Sequence, residues 1–379
     1  MTAPEKLLHE LIALPSVNPA LLPSHDPRAG ELRVAEFLAA TAASTGLDVE
    51  LRPVFPERPN LLARLTPSGR TRQRILLAPH LDTVGEPTMP DRLFQPAKKA
   101  GRLHGRGACD TKGSVAAMFT ALTALARAGR RPAETEIVFA GLVDEEHWQA
   151  GSRALVRDGF TGDLAIVGEP TRLTVVTAHK GAAWLTVETR GRAAHGARPE
   201  LGRNAVHLMA KVVDLLETHY AAQLRQRRHP LLGRPSVNVG VIRGGRQANI
   251  VPEHCLIEVD RRTVPGETTA GVHREVKALF QQHGLAATVR DSKEGLPCVP
   301  METNVKLSLV QELLRVAGQT EPAGVDYFSD ASVLSHGGIP AVLFGPGDIA
   351  QAHTADEWIS LASLERGTAL LTKFLRTLP

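Results

Sequence analysis

Short apolar runs alternate with helix-period stretches through the first 177 residues, the pattern of an α/β sheet covered on both faces. Ile75-Leu76-Leu77-Ala78 reads as a buried strand that ends at Pro79-His80. Residues 113–128 (GSVAAMFTALTALARA) read as a helix closed by Gly129, a residue type suited to the left-handed position after the last turn. EIVFAGLV at 136–143 and LAIV at 164–167 supply two more buried strands. From 181 to 291 the order becomes strand (WLTVETR), helix (204–224), strand (SVNVGVI), strand (CLIEVDRR), helix (267–283), strand (AATVR). This β-α-β-β-α-β order is the ferredoxin-like signature, a unit that can fold alone. The α/β pattern resumes near 292, with a helix at 304–317 and the apolar run AVLF at 341–344. The expected organisation is one split α/β domain, residues 1–180 and 292–379, interrupted by an α+β insert at 181–291.

Composition narrows the partners. A chain of 379 residues has room for two or three domains, and 43% hydrophobic content is ample for a large core. Aromatics make up only 4%, so that core must be built mainly from Ala, Val and Leu. The net charge of +4 is mild and spread along the chain, which argues against a nucleic-acid partner. The densest basic run, Arg225-Gln226-Arg227-Arg228, reads as a solvated loop. Cys109, Cys255 and Cys298 are odd in number, far apart and outside any CxxC pattern, so neither a disulfide framework nor a thiolate metal site is expected. The absence of a signal-type stretch or a membrane-length apolar run gives a cytoplasmic location and no membrane partner as the expectation.

The candidate chemistry lies just beyond the apolar runs. His80 follows the first, the Glu145-Glu146 pair the second and Glu169 the third, and the loop GPGDIAQAH brings His353 after AVLF. Open α/β sheets bind ligands in the crevice beyond the carboxyl ends of their strands. Asp110 stands in the glycine-rich turn GRGACDTKG ahead of a helix. That turn is no nucleotide loop: Lys112 is followed by glycine, and the dinucleotide pattern breaks at Asp110. A carboxylate there can cap the helix, or it can bridge two cations. Imidazoles and carboxylates without cysteine suit a hydrolytic zinc or cobalt centre. Asp82, two residues after His80, has the spacing to accept the second ring N–H of that histidine.

HLDTV, GRGACDTKG, DEE, GEPT and GPG…AH…DEW occur in this order. Together they resemble the dinuclear zinc amidohydrolases, the family that includes acetylornithine deacetylase, succinyl-diaminopimelate desuccinylase, aminoacylase-1 and the carboxypeptidase G2 type of peptidase. The resemblance implies a zinc-peptidase-like catalytic domain, a mixed sheet flanked by helices, with the insert as a dimerisation lid. It implies two divalent ions, Zn2+ or Co2+, one on His80, Asp110 and Glu169 and the other on Asp110, Glu146 and His353. Glu145 would be the general base and later the proton donor, with Asp82 orienting His80. In the insert, GRAAHGARPELGRNA and GGRQANIVPEHCLIEVDRRTVPGE resemble the family's lid. By that resemblance His195 would cross a homodimer to stabilise the oxyanion, and Asn249 and Arg261 would engage the substrate's backbone or carboxylate.

The implied substrate is a small N-acylated amino acid. DYFSDASVL and GPGDIAQAHTADEW look closer to acetylornithine deacetylase than to the desuccinylase, which usually carries a Thr-Ser-Asp-Gly-like stretch at Phe328-Ser329-Asp330-Ala331. The desuccinylase and a dipeptidase or carboxypeptidase of the same family stay open as alternatives. A catalytically silent binding protein on this fold would lack a proton-transfer carboxylate at position 145, and this chain has Glu145.

Overall fold

The computed structural model describes residues 1–292 and 298–379. The chain forms two compact units, one of residues 1–177, 303–323 and 329–379, the other of residues 178–302 and 324–328. The second unit is larger than the segment 181–291. Its flanks belong to it because Met301 and Glu302 pair with His179 and Ala178, and the Lys180 amide donates to the Val325 carbonyl.

At the centre of the first unit, strands Thr135–Gly141, Gln73–Ala78, Leu164–Val167 and Ala341–Leu343 lie side by side in that order, all parallel. The hairpin Asp48–Phe55 and Arg58–Leu65 extends the sheet antiparallel beyond Thr135–Gly141. None of the four parallel strands carries an exposed residue, as expected where helices cover both faces. Ile75, Leu77, Ile137, Phe139, Leu164 and Ile166 point into the main core with helices Ala3–Ile12, Leu32–Ala43, Lys112–Arg127, Ser308–Ala317 and Leu361–Leu375. Phe119 and Phe139 meet there edge to face, with ring centroids 5.2 Å apart. Parallel pairing has the consequence that matters for function: all four central strands deliver their carboxyl ends to one rim.

The helix read at 113–128 spans Lys112–Arg127, and Gly129 adopts the left-handed φ of 63° that its position calls for. The helix read at 304–317 begins later, at Ser308, and Gly318 closes it at φ 75°.

In the second unit, strands Ser236–Gly244, His254–Thr263, Gly181–Arg190 and Ala287–Asp291 form an antiparallel sheet in that order. By position in the chain the order is 2-3-1-4, the ferredoxin-like arrangement. Its helices are Ala205–Leu215, which runs on through a π turn to Arg225, and Thr269–Gln282. Asn204 and Thr268 start them by accepting backbone N–H groups of the first turn, from Val206 and His207 and from Gly271 respectively. Along His254–Thr263 burial alternates strictly: Cys255, Ile257, Val259, Arg261 and Thr263 are buried, and the residues between them are partly exposed.

Candidate metal centre

Four loops leave the rim of the parallel strands, and each contributes to one cluster in the first unit. His80 stands two residues past Ala78 and is 2% exposed. One ring nitrogen, Nδ1, lies 2.9 Å from the Asp82 carbonyl, and the other, Nε2, lies 3.1 Å from Asp110 Oδ1. The other oxygen of Asp110 lies 3.3 Å from His353 Nε2, which is also 3.2 Å from Glu146 Oε2. Asp110 thus offers one carboxylate oxygen to each histidine. Two trios result, His80 with Asp110 and Glu169, and Asp110 with Glu146 and His353, and within each the ligand atoms lie within 4.8 Å of one another.

The turn that presents Asp110 is held from the far end of the chain. The backbone N–H groups of Gly107, Cys109 and Asp110 donate to the Glu357 carboxylate at 2.9, 2.8 and 2.9 Å, and Arg106 adds a fourth donor at 2.9 Å. Glu357 is itself fixed by the strand Trp358–Ser360, which pairs with Arg102–His104, and by its carbonyl accepting the Gly105 N–H at 3.0 Å. Four residues before it, His353 takes a left-handed φ of 58°. The Asp110-Thr111 peptide is cis, and the Thr111 hydroxyl donates to the Gly168 carbonyl, joining this turn to the one that carries Glu169.

Asp82 does more than its spacing suggested. The nearest acceptor for the His80 ring is the Asp82 carbonyl, its carboxylate oxygen standing 3.4 Å away. The carboxylate is spent on the neighbouring loop, accepting the Glu145 and Glu146 backbone N–H groups at 3.1 Å each and the Asn18 side-chain amide at 2.8 Å.

Electrostatics argue for cations here. Burial pushes the Glu145 carboxyl well above the ordinary range; His80 opposes this, and the negative charges of Glu169 and Glu146 reinforce it. Glu169 is raised in the same way by burial and by Asp110, and Glu146 reaches about 7 for the same two reasons. His80 is disfavoured as a cation by burial, yet its bonds to Asp110 and Asp82 hold it well above the usual imidazole value. Glu146 Oε1 is buried with no hydrogen-bond partner. Crowded, desolvated carboxylates, two imidazoles and an orphaned ligand oxygen fit a pair of divalent cations. Cys109 takes no part: its thiol donates to the Asp348 carbonyl, and burial raises its pKa.

The lid residues fare differently. His195 and Asn249 come together in the second unit, where Gly196 N–H donates to the Asn249 carbonyl at 2.7 Å, and both residues are exposed. Arg261 does not join them, and its assignment to substrate is corrected. It is fully buried, donating to Tyr220 Oη at 3.2 Å, to Glu267 at 2.6 Å and to the Arg262 carbonyl. It braces the helix-covered side of the sheet, whereas Arg262 lies on the opposite face, paired with Asp260 at 3.0 Å.

Residues to which the sequence assigns no role also stand here. Asp330 is buried, receives the Ser152 hydroxyl at 2.6 Å and titrates near 7, chiefly because burial disfavours its charge. Glu357 lay in the DEW stretch without a role. Glu31, Arg58 and Asn18 carried no motif.

A family model for Peptidase family M20/M25/M40 matches residues 76–377. The chain belongs to that family. Its members are amide-bond hydrolases that depend on a dinuclear metal centre. Among sequence relatives of this M20 chain, the acetylornithine deacetylase of Myxococcus xanthus is 33% identical over 84% of this chain and 83% of its own length. That of Proteus mirabilis is 29% identical over 98% and 95%. Among solved structures, aminopeptidase PepT from Bacillus cereus superposes with a TM-score of 0.79 at 22% identity, covering 99% of this chain and 97% of the other. The M20 metallo-carboxypeptidase Sso-CP2 from Sulfolobus solfataricus gives 0.76 at 19% identity over 99% of both chains. These superpositions speak to the fold, a mixed α/β unit with a separate sheet in an insert.

Proposed function

We propose that this M20 chain removes the N-acyl group from an amino acid, with N-acetylornithine as the substrate, in the manner of the deacetylases it resembles at 28–33% identity. The deacetylase relatives support the substrate, and the observation that supports the chemistry is the division of Asp110 between two ligand trios, with Glu145 among them. His80, Asp110 and Glu169 would hold one ion, and Asp110, Glu146 and His353 the other, zinc or cobalt. When bound, such ions acidify water and polarise an amide carbonyl.

Glu145 is the group that moves the proton. Its carboxyl belongs to neither ligand trio, so it is free to take a proton from the attacking water and pass it to the departing amine as the C–N bond breaks. The backbone N–H groups of Glu145 and Glu146 both donate to the Asp82 carboxylate, which fixes the turn that carries the base and the ligand. Asp82 also steadies His80 through its carbonyl. The exposed His195 and Asn249 are suited to meet substrate carboxylate and oxyanion in a homodimer, His195 coming from a second copy. The split domain of residues 1–177, 303–323 and 329–379 is then catalytic, and the ferredoxin-like unit is the lid and dimer module. Among the described residues no helix is long and apolar enough to cross a membrane, and the proposed location is the cytoplasm.

The test is zinc- or cobalt-loaded protein assayed on N-acetylornithine, other N-acetyl amino acids, N-succinyl-diaminopimelate and simple dipeptides. Preference for N-acetylornithine in kcat/KM supports the proposal. Preference for the succinyl substrate or a dipeptide overturns the substrate while leaving the chemistry, and no turnover on any of them overturns both.

A further inference from the structure

The loop that carries Glu145 and Glu146 is held at its base by a charged network that touches no ligand atom. Strand Arg58–Leu65 reaches it with two side chains. Asn60 accepts the Val143 N–H at 3.1 Å and donates to the Gly151 carbonyl at 2.8 Å, closing both ends of the loop. Arg58 grips the residue between. Its Nε and one terminal nitrogen fork onto the two oxygens of Glu31 at 2.7 Å each, and the same terminal nitrogen reaches Asp144 Oδ1 at 3.0 Å. Glu31 in turn accepts the Asp144 backbone N–H at 3.1 Å. Asn18 donates to both Asp144 and Asp82, at 3.1 and 2.8 Å, which links this network to the carboxylate holding the next two N–H groups.

Three consecutive backbone N–H groups, those of Asp144, Glu145 and Glu146, therefore end on two buried carboxylates. Asp144 holds a left-handed φ of 70°, uncommon for a non-glycine residue though less costly for Asp than for most, and the bonds around it hold that conformation in place. Enforcement by Glu31, Asp82 and the Asp144 side chain gathers three acids in the interior, with Glu31 and Asp82 fully buried and the Asp144 side chain 2% exposed. Buried carboxylates of one sign cannot stay together and charged without a partner cation. Arg58 supplies it, at 13% side-chain exposure and with its guanidinium 4.9 Å from the Phe55 ring.

We propose that Arg58 is a positioning residue for the reaction: through Glu31 and Asp144 it fixes the main-chain turn that aims Glu145 and Glu146. The proposal rests on the roles given above to Glu145 and Glu146, but its test includes a binding readout that does not need turnover. Arg58→Met removes the charge, and Arg58→Lys keeps the charge but loses the fork. Each is compared with wild type for thermal midpoint, for zinc affinity by competition with a chromophoric chelator, for the visible absorption of the cobalt form, and for kcat and KM.

The expected result for Arg58→Met is a roughly ten- to hundredfold loss in kcat or in affinity for the weaker of the two zinc ions. KM should stay within about threefold, the cobalt spectrum should change, and Arg58→Lys should recover part of the loss. A variant that melts earlier but keeps wild-type kcat and binds both zinc ions as wild type does, with an unchanged cobalt spectrum, overturns the proposal, because a merely structural arginine behaves that way. If Arg58→Met fails to fold, Arg58→Lys decides by the same readouts. If wild type turns over none of the amides, the function proposed above fails, and chelator competition still decides the role of Arg58.

Discussion

Arg261 and Arg262 are adjacent in sequence and opposite in duty, and replacing each by Met separates the two. Arg261→Met removes a fully buried guanidinium from Glu267, Tyr220 and the Arg262 carbonyl. Breaking a buried ion pair costs about 3–5 kcal/mol because the remaining partner keeps its charge without compensation. Here the cost falls at the low end. Glu267 retains Arg227 at 2.5 Å and the Val264 N–H at 3.0 Å, and Tyr220 retains Glu275 at 3.0 Å. The Arg262 carbonyl is the group left poorer. The expected loss is about 3 kcal/mol, on the order of 10 °C in the melting of the ferredoxin-like unit. Trp184, on strand Gly181–Arg190 of that unit, gives a local fluorescence probe for denaturant unfolding. Arg262→Met removes a partly exposed pair with Asp260 and should cost less than about 1 kcal/mol. KM measured on the folded fraction should be unchanged by Arg261→Met. An Arg261→Met protein that unfolds with wild-type midpoint and shows KM raised tenfold or more would refute the structural assignment and return Arg261 to the substrate.

Three further outcomes are expected. Glu145→Gln should lower kcat by roughly 10²–10⁴ while elemental analysis still finds two metal ions per chain, and near-normal turnover would remove Glu145 from proton transfer. Glu357→Gln should lose about 2–3 kcal/mol and weaken metal binding at Asp110, since an amide cannot accept from all four donors that the carboxylate serves; thermal melts with chelator competition measure both. In metal-free protein Glu146 and Asp330 sit near 7, raised mainly by burial, and His353 near 10, raised by its bonds to Asp110 and Glu146. These groups bind more protons folded than unfolded, so the contribution of the site to stability declines as pH rises from about 4.5 through 7 toward 10. Bound cations replace those protons, so added zinc should raise the melting temperature more at pH 8 than at pH 6; an equal or smaller increment at pH 8 would contradict the linkage.

Local chemistry made much of this protein legible in one dimension. Few side chains can ligate a hard or borderline cation, and those at His80, Asp110, Glu146, Glu169 and His353 follow strands or a glycine-rich turn that periodicity alone marks. Gly129 marks a helix end because the left-handed turn it makes is costly for other residues. The β-α-β-β-α-β order also lies in the sequence, because each of its elements has its own period and length.

What needed the tertiary structure was everything set by pairing across the chain. Strand order at the rim is not chain order: Thr135–Gly141 precedes Gln73–Ala78 in the sheet, and Ala341–Leu343 joins after the insert. The bridging posture of Asp110 depends on Glu357, whose carboxylate reaches back 247 residues to its N–H. Arg58 carries no motif because its role exists only where Glu31 and Asp144 meet it. Arg261 is the plainest case. Alternation along His254–Thr263 can be read from the sequence, but its phase, which decides whether Arg261 or Arg262 is buried, depends on which face the helices Ala205–Leu215 and Thr269–Gln282 cover.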